Sequence, residues 1–71
     1  MSAETVAPLD SFPAPWNKDV VLQAVVHDSG LRMLRIRIRE GKRFTVMDID
    51  EATALRWGEA MTGWARAGAG T

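Results

Sequence analysis

Residues 31–44, "LRMLRIRIREGKRF", alternate apolar and basic side chains and hold six of the chain's nine positive charges. Alternation of this kind is a strand signal, because successive side chains of a strand point to opposite faces. It puts Leu34, Ile36 and Ile38 on one face and Arg35, Arg37 and Arg39 on the other. The arginine face either meets an anion such as nucleic acid or forms the wet side of a small sheet.

Working outward, residues 19–27, "DVVLQAVVH", are valine-rich and bounded by turn residues, which predicts a strand. The "DSG" that follows predicts a three-residue hairpin loop, with Gly30 at the positive φ such loops need. A second tight turn falls around Gly41 in "EGKR", and residues 43–49, "RFTVMDI", give a third strand. The loop pairs His27 with Leu31, hence Leu22 with Ile36 and Val20 with Ile38. The Gly41–Lys42 turn pairs Arg39 with Phe44, hence Ile36 with Met47 and Leu34 with Ile49. Both turns yield the same inner face: Val20, Leu22, Ala24, Leu34, Ile36, Ile38, Met47 and Ile49, with Thr45 its one polar member.

A helix is expected from about Glu51 to Arg66. Asp50 is a good N-cap, and Glu51 complements the helix dipole. Ala54, Trp57, Gly58, Met61, Trp64 and Ala65 fall on one stripe, which is expected to lie on the inner sheet face, with Gly58 permitting close approach. The expected fold is α+β: a three-stranded antiparallel meander (β-β-β-α) with one C-terminal amphipathic helix. Residues 1–15 carry Pro8, Pro13 and Pro15 and read as an extended N-terminal arm. Residues 16–67 are then a single domain and residues 68–71 a frayed tail.

Seventy-one residues make one domain at most. A chain this short buries only about 60% of the surface its unfolded form exposes. It has no cysteine to staple it, while 46% of its residues are apolar, so a folded chain that gains stability by pairing is expected. The partner is either a second copy, giving a homodimer, or a larger protein. No apolar run approaches the ~20 residues of a membrane span, and the N-terminus does not read as a secretory signal. A cytoplasmic protein with no membrane partner is expected.

The outer face gathers Val21, Gln23, Val25, His27, Met33, the three arginines, Phe44, Val46 and Asp48. Register puts Arg39 beside Phe44, Arg37 beside Val46 and Arg35 beside Asp48. Cations in a row beside an aromatic ring suit a nucleic-acid backbone with stacked bases. An antiparallel sheet with one packed face also shows charge on the other, with Arg35–Asp48 an ion pair and Arg39–Phe44 a cation–π contact. The chain is electrically neutral overall, with residues 31–43 net +5 and the remainder net −5. Exposed apolar neighbours such as Val21, Val46 and Phe44 equally suit a protein interface.

Catalysis is not expected, since one histidine and scattered hydroxyls assemble no nucleophile–base pair. No cofactor or metal is expected either. His27 has no cysteine or second histidine beside it, and Asp48, Asp50 and Glu51 read as capping and dipole complement. "GKRFT" lacks the glycines of a phosphate loop.

The order of elements and the segment "RIREGKRFTVMDIDEATALRW" (residues 37–57) resemble the positive-cofactor-four family of single-stranded-DNA-binding transcriptional coactivators. At the level of pattern the resemblance covers residues 20–66. It implies a sheet followed by a helix, dimerisation through that helix, and single strands bound across the sheet. The family's extra strand and basic hairpin between its "IRE" and "GK" segments are absent, as is its lysine-rich flank. Arg35, Arg37, Arg39, Lys42, Arg43 and Phe44 would be the matching binding positions. The expected function is thus a small non-catalytic binding module, holding single-stranded nucleic acid as a homodimer. The alternative is an accessory subunit docking on a larger protein through the same face or the N-terminal arm.

Overall fold

The computed structural model describes residues 3–69. Strands β1 (Thr5–Ala14), β2 (Lys18–Val26), β3 (Arg32–Glu40) and β4 (Arg43–Ile49) form one antiparallel meander in that order, followed by helix α1 (Glu51–Ala69). Both expected glycine turns are present. At the first, His27 N–H donates to the Leu31 carbonyl and Gly30 N–H to that of His27, each at 2.9 Å, with Gly30 at φ +88°. At the second, Glu40 pairs with Arg43 across Gly41 and Lys42, and the glycine takes φ +62°. A positive φ at the first central residue alone is the mark of a type II′ hairpin turn. The register follows from these turns: Ile36 stands opposite Leu22 on one side and Met47 on the other.

The meander expected from the sequence had three strands and the structure has four. The segment read as an extended arm is β1, paired antiparallel to β2 from Thr5↔Val26 to Ala14↔Lys18. An edge strand leaves half its backbone groups facing solvent, so prolines are tolerated there. The register shifts between Pro8 and Asp10, so that Leu9 is the extra residue of a β-bulge. Phe12 joins the sheet opposite Val20, but Trp16 does not lie across it. Trp16 sits 87% exposed at the β1–β2 tip. There Trp16 and Asn17 both take positive φ, 59° and 62°. Asparagine tolerates this conformation, whereas in a tryptophan it is strained backbone.

Helix α1 starts where the cap predicts. Thr53 N–H donates to Asp50 Oδ1 at 2.8 Å, and Ala54 N–H to the Asp50 carbonyl at 2.9 Å. The side-chain and backbone hydrogen bonds from Thr53 hold the Asp50 carboxyl below its ordinary range. The helix runs on through Gly68 to Ala69, past the tail expected to fray from residue 68; residues 70–71 lie outside the described residues.

The packing of α1 departs most from expectation. Its main contact is with β3, and Ala54 is half-buried while Leu55, Met61 and Trp64 stay exposed. Only Asp50 separates β4 from α1, and the helix faces the inner side of the sheet across a cleft instead of packing closely on it. A Cβ added at Gly58 would meet nothing within 4 Å, so the close approach expected there is not made within the chain. Among the described residues the buried apolar ones are Val25, Ile36 and Ile49, with exposures of 0%, 7% and 6%. Between sheet and helix lies an open apolar cleft of about 450 Å³, lined by Leu22, Ile36, Met47, Trp57 and Met61 among others. The radius of gyration is 14.4 Å, against about 11 Å for a compact chain of this length.

Candidate functional site

The outer face is built on β2, β3 and β4, with β1 closing one side. Alternation sends Arg35, Arg37 and Arg39 to this face, and each meets a different neighbour. Arg35 is the anchored one. Its Nε donates to Asp48 Oδ1 at 2.8 Å and its Nη2 to Asp48 Oδ2 at 3.0 Å, a bidentate pair across β3 and β4. Its Nη1 donates to Glu4 Oε1 at 3.1 Å, and Glu4 also lies 3.6 Å from His27 Nδ1. This network ties the residue preceding β1 to β3 and β4, and to His27 just past the end of β2.

The Arg35 hydrogen bonds hold the Asp48 carboxyl below its usual range, and its two carboxylates raise the Arg35 guanidinium. A depressed carboxyl contributes stability above its unfolded value, and that contribution is lost as pH falls through the folded value. Asp50 acts with the same sign. The melting temperature should therefore hold at neutral pH and fall below about pH 4. Asp48→Asn should melt lower at pH 7 and show a flatter decline in acid, measured by circular dichroism. A variant with the parent's acid profile would refute this account of Asp48.

Arg39 is also neutralised, contrary to the expectation that it stands over Phe44. Its Nη2 donates to Asp19 Oδ2 at 2.6 Å, across the β2–β3 pair Asp19↔Arg39. With Arg39 drawn to that side, the Phe44 ring is left to Arg37, whose guanidinium carbon lies 5.7 Å from the ring centroid. Arg37 is directly opposite Val46, so it reaches Phe44 diagonally, a span that long side chains cover. Among the described residues Arg37, Lys42 and Arg43 have no ion-pair partner, whereas Lys18 is 3.1 Å from Glu40 and Arg32 is 3.4 Å from Glu51.

Of the six positions expected from the sequence, Arg35 and Arg39 are thus structural ion pairs. Arg37 and Phe44 form one unit on the face and Lys42 lies at the adjacent turn, whereas Arg43, which opens β4, falls on the opposite, inner face and is not brought to the site. Beside Arg37 an open groove of about 570 Å³ is lined by Val6, Gln23, Arg35, Val46 and Asp48. Val46 is 52% exposed and Phe44 56%. Asp19 was within reach of sequence reasoning, since the loop that pairs Val20 with Ile38 pairs Asp19 with Arg39. Glu4 was not, because its position depends on β1.

The three carboxylates of "DIDE" go separate ways: Asp48 to Arg35, Asp50 to the helix cap, Glu51 to Arg32. Among the described residues no group of three His, Cys, Asp or Glu is placed to hold a metal ion. No helix among them is long and apolar enough to cross a membrane.

Fold and face together define a small α+β protein, a four-stranded antiparallel meander with one C-terminal helix. The chain belongs to a family of unknown function, DUF6967, the match spanning residues 3–67. No curated protein and no solved structure matches it.

Proposed function

We propose that the protein is a non-catalytic binding module that holds single-stranded nucleic acid across its outer sheet face. The observation that carries this reading is the Arg37–Phe44 unit: a guanidinium, without a carboxylate partner among the described residues, over an exposed ring, with Lys42 at the adjoining turn likewise unpaired among them. A base can stack on such a ring while the cations follow the phosphates. The resemblance to the positive-cofactor-four family points the same way. Because Arg35 and Arg39 are already neutralised and Arg43 falls on the inner-face side of β4, the electrostatic part of binding rests on Arg37 and Lys42.

A labelled oligonucleotide is expected to bind at micromolar concentration in low salt. The slope of log affinity against log salt should be about −1.4, since each neutralised phosphate of a single strand contributes about −0.7. Fluorescence anisotropy reads both quantities. Absence of binding at low salt would sink the proposal.

A second reading has its own support. Val6 and Val46 are exposed beside Arg37, and a zero net charge is unusual for a nucleic-acid binder. Under that reading the same face docks the protein, as an accessory subunit, on a larger protein. Affinity capture would then recover one stoichiometric partner, and oligonucleotide would not compete with it.

A further inference from the structure

The inner sheet face and the apolar side of α1 confront each other across the open cleft, with Leu22, Ile36 and Met47 on one wall and Trp57 and Met61 on the other. Among the described residues nothing fills it. Met61 is 59% exposed and Trp64 82%. The accessible surface of the chain is 5907 Å², against about 4,400 Å² for a compact monomer of this mass. The excess, about 1,500 Å², exceeds the ~800 Å² each partner gives to a standard interface and falls in the range of obligate homodimers.

We propose that a second copy of this chain fills the cleft, each copy's α1 lying against the other's inner sheet face. Three observations favour a second copy over another occupant. First, the open sheet face and the open helix stripe are both apolar and belong to one chain, so a two-fold axis satisfies both at once. Second, the net charge is zero, so two copies approach without mutual repulsion. Third, the buried apolar side chains among the described residues, Val25, Ile36 and Ile49, are too few to hold the fold alone, which makes folding and association one event. Gly58 fits this picture: it lies in the cleft wall with open space above it, where a partner's side chains can come close.

This interface lies on the side of the sheet opposite Arg37 and Phe44, so it stands or falls independently of the nucleic-acid reading. Sedimentation equilibrium of the full chain is expected to return twice the 7.8 kDa monomer mass, with a melting temperature that rises with protein concentration. Met61→Arg places a charge on a side chain that is exposed in the single chain, and should abolish the dimer and its cooperative melting. Gly58→Ala should lower the dimer's melting temperature, whereas in an isolated helix it would raise it. Phe44→Ala should leave the dimer intact. A monomer that melts cooperatively at a concentration-independent temperature would overturn the proposal. So would a chain that is disordered alone and folds only with a different protein, or a Met61→Arg variant that still sediments as a dimer.

Discussion

Replacing Ile36 by alanine is expected to unfold the protein. Ile36 is 7% exposed at the centre of the sheet, flanked by Leu22 on β2 and Met47 on β4. Trimming a buried isoleucine to alanine removes about 2–5 kcal/mol, part from lost transfer and part from the cavity left behind. Small domains hold about 3–5 kcal/mol in total, so the loss is comparable with the whole stability. The expected result is loss of the cooperative melt and of the strand signal in circular dichroism at room temperature. Ile36→Val, which deletes one methylene and keeps the strand-forming branch, should remain folded with a lower midpoint. An Ile36→Ala protein melting within a few degrees of the parent would show that the inner face carries little of the stability.

The second large effect is on ligand binding. Phe44→Ala removes the ring that Arg37 covers. Stacking on an aromatic side chain is worth about 1–3 kcal/mol per base, so oligonucleotide affinity should fall roughly ten- to hundredfold. Arg37→Ala should weaken binding and also flatten the salt dependence by about 0.7, the share of one phosphate contact. Arg37→Lys keeps the charge but loses the planar group, so it should restore the salt slope without the full affinity. Arg39→Ala is the informative control, because Arg39 is spent on Asp19. It should change affinity little. If Arg39→Ala and Phe44→Ala weaken binding equally, the Arg37–Phe44 unit is not the site.

The parts of the fold that could be read from the sequence are those whose phase is fixed by a turn. Gly30 and Gly41 both sit at positive φ, and each pins the register of the strands it joins. That is why the β2–β3–β4 pairing and the sorting of Ile36 from Arg37 follow from alternation alone. β1 escapes the same logic for a local reason. The bulge at Leu9 slips the two-residue period by one, so "TVAPLDSFPA" shows no continuous alternation, and its prolines read as punctuation. The apolar stripe of α1 was legible as apolar, but a stripe specifies an environment and not its source. Intramolecular packing was the natural inference, and the geometry leaves Met61 and Trp64 open instead. In the site, the Arg35–Asp48 pair was legible from register. The choice of Arg37 over Arg39 for Phe44 was not, because it turns on competition between Asp19 and the ring for one guanidinium.

Pro8, Pro13 and the bulge between Pro8 and Asp10 give the sheet a valence of one. A sheet with two receptive edges can add copies without limit, and that is the geometry of a fibre. Here β1 offers an interrupted row of backbone donors, while β4 carries no proline and leaves Phe44, Val46 and Met47 exposed along its length. Any strand that adds to this sheet must therefore add beside β4, and a second copy that does so presents only its own β1 outward. Growth ends at that step, which lets a small apolar chain expose one unguarded edge without becoming the seed of a filament.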